Sequence, residues 1–250
     1  MPRLIIVTGA GSGIGRATAQ RFAEHGDTVL LVGRRPDRLR TTADGLRAAF
    51  PGSDVRGVAA DLSHEAGALL LREHVEALGR PVDAVVCCAG ASPAGSDVGG
   101  LKSVAAEWQD AYGSNVLTAV LTVETLASLL ADGASIVLYS SIAAYRGSAG
   151  TGAYGAAKAA LHAYTHHLAT RLGPRGVSVN AIAPGYVADT DFFGDRMTPA
   201  REALLIRQTA LGRAGTPDDV AGLAHFLCSP DGAYLTSQIL QVNGGSQHGV

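Results

Sequence analysis

Leu4-Ile-Ile-Val-Thr-Gly-Ala-Gly-Ser-Gly-Ile-Gly15 joins a short apolar run to a glycine-rich loop, and a helical pattern begins at Ile14. This order of strand, loop and helix lets backbone N–H groups and a helix N-terminus come close to a pyrophosphate. A glycine-rich loop alone can be a simple tight turn, but the strand before it and the helix after it indicate a dinucleotide site. The predicted cofactor contacts here are Gly9, Ser12, Gly13, Ile14 and Gly15.

Short β-branched runs alternate with helical patterns along the rest of the chain. The runs predict strands at Leu4–Thr8, Val29–Val32, Val55–Ala59, Val82–Cys88, Ser135–Tyr139, Val177–Ile182 and Ile239–Val242. Apolar positions at helical spacing predict helices near residues 14–25, 37–49, 64–78, 103–131 and 152–173. Such alternation predicts an α/β fold, a Rossmann-type doubly wound parallel sheet of about seven strands with helices on both faces.

The length and composition predict one domain over residues 1–250. The 250 residues are 47% apolar, which is enough for one well-packed core and too little for two comfortable ones. No repeat or low-complexity linker divides the chain. The irregular stretch Tyr186–Pro199 predicts a substrate lid near residues 186–210, because Phe192, Phe193 and Met197 are costly to leave in water. The alternative for this stretch is a surface excursion.

The net charge and the number of cysteines indicate which binding partners and which cellular compartment to expect. The formal net charge is -2, without a run of five like charges, which gives no support for nucleic acid or an anionic membrane as partner. The longest apolar stretch, Val116–Ala131, carries interrupting polar residues, so we expect a buried or interface helix and no membrane span. Three cysteines, two of them adjacent, make no disulfide framework and favour a cytoplasmic protein.

The residues at the end of the second predicted strand indicate which nicotinamide cofactor the protein prefers. NAD-binding sites commonly place a carboxylate about 20 residues past the glycines, but Gly33-Arg34-Arg35 stands here. Two guanidinium groups suit a 2′-phosphate, so the sequence predicts NADP(H) as the preferred cofactor, with NAD(H) possible if Arg34 and Arg35 are only solvated. Asp61 and Leu62, after the third strand, are predicted near the adenine; Asp61 could equally cap the next helix.

Tyr154 and Lys158 are the main candidates for chemistry. Of the 20 basic residues, only Lys102 and Lys158 are lysines, and Lys158 shares a helix face with Tyr154. An ammonium about 4 Å from a phenol is worth about 4 kcal/mol at an effective dielectric constant of about 20. That would bring the phenol pKa from about 10 to near 7. The alternative is an ordinary amphipathic helix that carries both residues.

Several motifs occur in a fixed order with this pair. Asn115, Ser141, Tyr154 and Lys158 follow the T-G-x-x-x-G-x-G loop, and the chain continues with Asn180-Ala-Ile-Ala-Pro-Gly185 and Val242-Asn-Gly-Gly245. From Leu4 to about Gly245 the chain therefore resembles the classical short-chain dehydrogenase/reductase family, in particular members like 3-oxoacyl-[acyl-carrier-protein] reductase.

The resemblance implies hydride transfer between a nicotinamide and a carbonyl or secondary alcohol substrate. Tyr154 would donate the proton, Ser141 would orient the carbonyl, Lys158 would lower the Tyr154 pKa and hold the nicotinamide ribose, and Asn115 would hold a water. A homotetramer or dimer, built on the helices near 103–131 and 152–173, is also implied. The resemblance adds cofactor contacts at Ala89, Gly90, Pro184, Gly185, Val187 and Thr190.

Three departures from the family pattern stand out. Cys87-Cys88 replaces an Asn pair whose amides commonly brace the sheet, Thr190 comes one residue later than usual after Pro-Gly, and Ser237 replaces a glycine. Cys87 and Cys88 should point to opposite faces of the sheet, since they are neighbours on a strand.

The remaining candidates have ordinary explanations. His162, His166 and His167 are predicted as surface or interface residues and no metal site is predicted, since no matching carboxylate or cysteine lies nearby. The segment Ser92–Gly100 and the residues after Ser141 are predicted to line the substrate pocket, with Arg146 facing either water or an anionic group. One alternative function is an NAD-dependent alcohol dehydrogenase of the same fold. The alternative to an enzyme is a nucleotide-sensing protein without turnover.

Overall fold

The computed structural model describes residues 2–92, 100–147 and 152–248. Its strands are β1 (Leu4–Thr8), β2 (Thr28–Gly33), β3 (Val55–Ala59), β4 (Val82–Cys87), β5 (Leu130–Tyr139), β6 (Ser178–Pro184) and β7 (Ile239–Val242). They form one seven-stranded sheet in the order β3-β2-β1-β4-β5-β6-β7, and every neighbouring pair is parallel. The predicted doubly wound α/β fold is confirmed.

Helices fill the connections between strands. They are α1 (Gly13–Glu24), α2 (Pro36–Ala49), α3 (Glu65–Glu76), α4 (Gly100–Tyr112), α5 (Thr118–Leu126), α6 (Ala143–Arg146), α7 (Gly152–Leu172), α8 (Pro199–Arg207) and α9 (Pro217–Leu227). Short 3-10 turns lie at Ala127–Leu129, Gly173–Arg175, Gly194–Arg196 and Pro230–Gly232, and a π-helical turn lies at Gly113–Leu117. No helix within these described ranges is long and apolar enough to cross a membrane.

The sheet separates two apolar layers, because successive side chains of a strand point to opposite faces. On one face, Leu71 of α3, Val123 of α5 and Leu168 of α7 pack against the strands. On the other face, Phe22 of α1 and Leu39 of α2 join residues of α9 in a second cluster. All five residues of β1 are buried, as expected of a central strand covered on both sides.

The predicted helix near 103–131 is wrong as a single element. The chain forms α4, then the π-helical turn Gly113–Leu117, then α5, and β5 already begins at Leu130. A π-helical turn adds one residue to the local repeat and so breaks the helical register. Asn115 lies inside this turn, and its amide Nδ2 donates to the Ala111 carbonyl at 3.0 Å. The periodicity of apolar residues shows no such local change.

Two helices after β6 were not predicted. Each begins with a threonine followed by a proline, at Thr198 for α8 and Thr216 for α9. The Thr216 side chain accepts from the Asp219 N–H, and the Asp219 carboxylate accepts from the Thr216 N–H, which completes a capping box. The Thr-Pro start was therefore a usable sequence signal for both helices.

Parallel strands bring their carboxyl ends to one edge of the sheet. The glycine loop follows β1, Cys88 to Gly90 follow β4, Ser141 follows β5 and Gly185 follows β6. Strand order reverses between β1 and β4, and this is the point at which open α/β sheets bind ligands. The candidate residues thus meet where the topology opens a crevice.

Candidate active site

Tyr154 lies on α7 with its side chain almost fully covered, at 8% exposure. Burial raises its pKa to about 12, and a hydrogen bond with the Ser141 hydroxyl lowers it only in part. The Lys158 Nζ lies 5.8 Å from the centroid of the Tyr154 ring. The expectation that the ammonium alone brings this pKa near 7 is therefore wrong for the structure, because burial of the phenol is the dominant effect.

Lys158 is 4% exposed, and its Nζ donates to the Tyr139 carbonyl at 2.8 Å. Burial lowers its pKa to about 8, because a charged ammonium loses hydration inside the protein. Lys158 is thus an ammonium at neutral pH but titrates far closer to neutrality than a solvated lysine. This behaviour distinguishes it from the arginines that fill nearly every other basic position.

Asn115 is 1% exposed and is held at both ends of its amide. Its Nδ2 donates to the Ala91 carbonyl at 2.8 Å, and its Oδ1 accepts from the Ala91 N–H at 3.3 Å. A Cβ placed on Gly90 would lie 2.8 Å from Asn115 Oδ1 and 3.1 Å from Lys158 Nζ. The structure therefore brings Asn115 and Lys158 together at the backbone of Gly90, where an added Cβ would push against both side chains.

The glycine loop packs tightly against the end of β4. Gly9 has a positive φ of 66°, and a Cβ on it would lie 2.9 Å from the Ala89 nitrogen. A Cβ on Gly15 would overlap with the Gly9 carbonyl oxygen. The Ala89 N–H donates to Thr8 Oγ1 at 3.0 Å, which fixes the two crossing segments to each other. Glycines here permit close backbone packing and bring the N-terminus of α1 to the crevice.

Arg34 and Arg35 follow β2 and are exposed beside this loop. Arg35 donates to Ser12 Oγ at 3.4 Å. The pKa of Asp61 is lowered mainly by its hydrogen bond with the Ser63 hydroxyl and in smaller part by the charge of Arg34. Arg34 and Asp61 thus face the same region, as an adenosine site requires.

Asp61 also has a local role. Its Oδ1 accepts from the Ser63 N–H at 3.0 Å and from the Ser63 hydroxyl at 2.6 Å, in the turn before α3. The N-cap position of α3 belongs to His64, so the alternative that Asp61 caps this helix is wrong. Leu62 is 3% exposed, and its side chain packs in the core. A ligand could therefore contact Leu62 only through its backbone.

Cys87 and Cys88 point to opposite faces of the sheet, as predicted. Burial raises both thiol pKa values, that of Cys88 to about 12, so both thiols are neutral. Cys88 hydrogen-bonds the hydroxyl groups of Tyr139 and Thr18, which lie 3.4 Å apart. A cluster of a thiol and two hydroxyls therefore stands where amides brace the sheet in the family pattern.

The stretch after β6 crosses the crevice. Pro184 is buried, and a Cβ on Gly185 would lie 2.8 Å from Asn243 Cβ. Val187, at 6% exposure, pairs with Gly215 in an isolated bridge. Thr190 approaches Gly13, since a Cβ on Gly13 would lie 3.2 Å from Thr190 Cγ2. The cofactor contacts implied for this stretch therefore lie along the same crevice as the glycine loop.

Aromatic side chains of the same stretch cover Tyr154. The Phe192 and Tyr154 ring centroids are 5.4 Å apart, and Phe193 lies between Phe192 at 4.9 Å and Tyr186 at 5.9 Å. Arg196 donates to Ser92 Oγ at 3.2 Å, which connects the stretch to the loop after β4. Most of the predicted pocket segment Ser92–Gly100 lies outside the described residues.

The histidines of α7 differ from one another. His162 is half-buried, and its Nε2 lies 2.7 Å from the Ser140 hydroxyl, so it is not a freely exposed surface residue, and the interface alternative stays a prediction. His166 and His167 are exposed, as predicted. Within the described part of the chain no group of three histidine, cysteine or acidic residues could hold a metal ion. No sequence signal distinguished His162 from its neighbours.

Arg146 is exposed, so the expectation that it faces water is confirmed. It donates to the Ser246 carbonyl at 3.2 Å and to Gln208 Oε1 at 3.1 Å, so it connects the loop after β5 to the C-terminal segment.

Comparison with known proteins agrees with this geometry. A family model described as enoyl-(acyl carrier protein) reductase matches residues 9–247. The chain is 36% identical over 249 residues to the short-chain reductase protein NovJ of Streptomyces niveus, covering 96% of this chain and 92% of the relative. The chain belongs to the short-chain dehydrogenase/reductase family. It is therefore an oxidoreductase of the class that acts on carbonyl and alcohol groups.

Two solved structures show the same fold. A 3-oxoacyl-[acyl-carrier protein] reductase from Brucella melitensis with bound NAD has a TM-score of 0.86 and 31% identity, with 97% of this chain and 90% of that chain covered. A short-chain dehydrogenase from Burkholderia cenocepacia in complex with NADP has a TM-score of 0.86 and 30% identity, with 98% and 97% covered.

The packing of the glycine loop leads to a test with a matched control. Gly15→Ala should lower the free energy of unfolding by roughly 1–3 kcal/mol, because the added methyl group overlaps with the Gly9 carbonyl. Gly45→Ala, in α2 with open space around its Cα, should raise that free energy by about 0.4–1 kcal/mol. Urea denaturation followed by circular dichroism measures both. Equal effects of the two substitutions would contradict the close approach.

Proposed function

We propose that the protein is an NADP(H)-dependent oxidoreductase that reversibly transfers a hydride between the nicotinamide and a carbonyl or secondary alcohol substrate. One observation carries the proposal. Tyr154, hydrogen-bonded to Ser141, and Lys158 are buried side by side on α7 at the edge of the sheet that also carries the glycine loop. A proton donor and an ammonium lie together beside a crevice suited to a dinucleotide.

The residues of the crevice fit such a cofactor. Because residues 9 and 15 are glycines, no Cβ stands between the loop and the start of α1. Ser12, the N-cap residue of α1, makes no side-chain cap hydrogen bond, so the first N–H groups of α1 remain for an anionic ligand. Pyrophosphate oxygens would accept from these N–H groups, and the helix dipole would favour their charge.

The preference for NADP(H) over NAD(H) is supported by charge. Arg34 and Arg35 stand where NAD-binding sites commonly place a carboxylate, and Arg35 reaches Ser12 of the glycine loop. A 2′-phosphate placed there would accept charge-assisted hydrogen bonds from these guanidinium groups, each worth about 1.5–3 kcal/mol. Related structures contain either NAD or NADP, so NAD(H) remains the weaker alternative.

The proposed chemistry divides between cofactor and protein. When bound, the nicotinamide supplies or accepts the hydride, which carries both electrons of the reaction. In reduction, Tyr154 gives its hydroxyl proton to the substrate oxygen as that oxygen gains negative charge, and Ser141 donates to the same oxygen. Lys158 then stabilises the Tyr154 phenolate and holds the nicotinamide ribose. Asn115 orders a water that returns a proton towards Lys158.

The proposed substrate is a partly apolar carbonyl compound. Phe192 of the lid lies next to Tyr154, and Phe193 and Tyr186 extend this contact into an aromatic wall of the crevice. Such a wall suits an acyl chain or a ring beside the reacting carbonyl. Ketones and 3-oxoacyl thioesters both meet this description, and the similar structure from Brucella melitensis is that of a 3-oxoacyl-[acyl-carrier protein] reductase.

We further propose a homo-oligomer, a dimer or tetramer, of one-domain subunits in the cytoplasm. Leu101, Val104, Trp108 and Tyr112 form one exposed apolar stripe along α4, with Leu101 88% exposed. An apolar stripe of this kind is costly in water and is typical of a protein interface. The cytoplasmic location rests on the three free cysteines.

The activity predicts a direct assay. NADPH absorbance should fall when the protein meets a panel of ketones, diketones and 3-oxoacyl thioesters, and NADH should be consumed more slowly. Tyr154→Phe should abolish turnover, because it removes the proton donor, while NADPH binding stays within about threefold of the parent protein. Calorimetric titration measures the binding. More than a few per cent of residual activity in Tyr154→Phe would contradict the proton-donor role.

The titration of Lys158 predicts a pH dependence of cofactor binding. Since burial lowers the Lys158 pKa to about 8, the ammonium predominates below pH 8 and is lost as the pH rises through that value. NADPH affinity should therefore weaken by roughly tenfold or more between pH 7 and pH 9.5, the loss of a charge-assisted hydrogen bond. Lys158→Met should bind weakly at both pH values, and an unchanged pH dependence in that variant would assign the effect to another group.

A further inference from the structure

Three consecutive residues of the lid contact three different parts of the crevice. Thr190 packs against Gly13 of the glycine loop, Asp191 pairs with arginines of α2 and its N-cap, and Phe192 covers the ring of Tyr154. The cofactor end and the catalytic end of the site are thus connected through adjacent residues.

Asp191 is the member of this set with a charge. Its Oδ2 lies 2.5 Å from an Arg38 guanidinium nitrogen and 3.6 Å from one of Arg35. The same Arg35 nitrogen donates to Ser12 Oγ at 3.4 Å. A lid carboxylate therefore shares the guanidinium group that the proposed function assigns to a 2′-phosphate.

The backbone of the lid explains how Asp191 reaches this position. Asp189 has a positive φ of 54°, in the left-handed region that aspartate tolerates better than most residues. Thr190 comes one residue later than the family pattern places it, and the left-handed turn at Asp189 accommodates the additional residue. The turn lets Thr190 still contact Gly13 while the next side chain, that of Asp191, is directed to Arg38 and Arg35.

We infer that Asp191 is a cofactor-specificity residue: its carboxylate neutralises Arg35 and Arg38 until a 2′-phosphate displaces it, and its release frees Phe192 from Tyr154. The inference rests on the proposed function, because it requires a cofactor with a 2′-phosphate. A dinucleotide without that phosphate leaves the ion pair in place, and the lid stays closed over the catalytic tyrosine.

The charges favour this exchange. A phosphate monoester carries about two negative charges at neutral pH and three acceptor oxygens, against one charge for Asp191. The Asp191 side chain is 54% exposed and that of Arg38 is 47% exposed, so water reaches the ion pair. Separating the two groups therefore requires little free energy. The displaced carboxylate is repelled by the incoming phosphate and moves towards solvent.

The ion pairs of Asp191 help to hold its neighbour Phe192 in place. The two Cα atoms are about 3.8 Å apart, so the segment that carries both side chains loses an anchor on α2 when the Asp191 carboxylate leaves Arg35 and Arg38. Phe192 lies 5.4 Å, centroid to centroid, from Tyr154, where the reacting end of a substrate would lie. Release of the ion pair therefore opens the crevice to substrate after NADP(H) has bound.

The first test compares two carboxylates beside the same groove. Asp191→Asn should tighten NADPH binding by roughly two- to fivefold at 0.15 M salt, the range of a partly exposed ion pair, and leave NADH binding nearly unchanged. Asp37→Asn removes the same charge from the groove but not from the lid, since Asp37 pairs with Arg40. Its effect on NADPH affinity should be less than half as large. Equal effects of the two variants would overturn the inference.

The second test uses adenosine 2′-monophosphate as a probe of the phosphate alone, with adenosine 5′-monophosphate as control. The 2′ isomer should bind more tightly and should speed hydrogen exchange in residues 190–196 of the parent protein. Asp191→Asn should show fast exchange there without any nucleotide. If the 2′ isomer binds preferentially but hydrogen exchange does not change, the role of Asp191 is overturned and the NADP(H) preference still stands. Equal binding of the two isomers would overturn the NADP(H) preference and this inference with it.

Discussion

Close backbone packing at the carboxyl edge of the sheet is the constraint on which the rest of the site depends. Gly9 lies against the backbone of Ala89, where there is no space for a side chain, and Gly90 lies against the side chains of Asn115 and Lys158. The first contact closes the β1–β4 crossing, where strand order reverses, and the second joins that crossing to the π-helical turn and α7. The crevice beside the glycine loop and the proposed catalytic side chains are therefore parts of one packed unit.

Burial of Tyr154 and Lys158 acts on their pKa values in opposite directions. Desolvation raises the phenol pKa to about 12 and lowers the ammonium pKa to about 8. Both shifts disfavour the charged forms, so the protein holds a neutral phenol beside an ammonium at neutral pH. This is the protonation state that a reductase needs before it gives a proton to a carbonyl. The opposite reaction requires a phenolate, which a cationic nicotinamide beside it would help to stabilise.

The sequence predicts elements best where one periodicity persists. The first, third and seventh strands have their predicted bounds, and each begins directly after a polar residue: Arg3, Asp54 and Gln238. The helix near 103–131 failed because the π-helical turn around Asn115 is fixed by tertiary hydrogen bonds to Ala91, which periodicity does not show. The contact of Cys88 with Tyr139 and Thr18 joins three separate elements. It could therefore be found only from the three-dimensional structure.

The lid shows why single site residues are harder to predict than the motifs that contain them. The Pro-Gly after β6 and a nearby threonine are visible in the sequence, but one additional residue changes which side chain faces the arginines. The left-handed turn at Asp189 leaves Thr190 on the glycine loop and places Asp191 on Arg38, so a carboxylate from the lid meets the basic groups that follow β2. Since Phe192 follows directly and covers Tyr154, one short segment contacts both the basic groups that follow β2 and the tyrosine of α7. A movement of this segment would change contacts at both ends of the crevice, because three adjacent residues carry them.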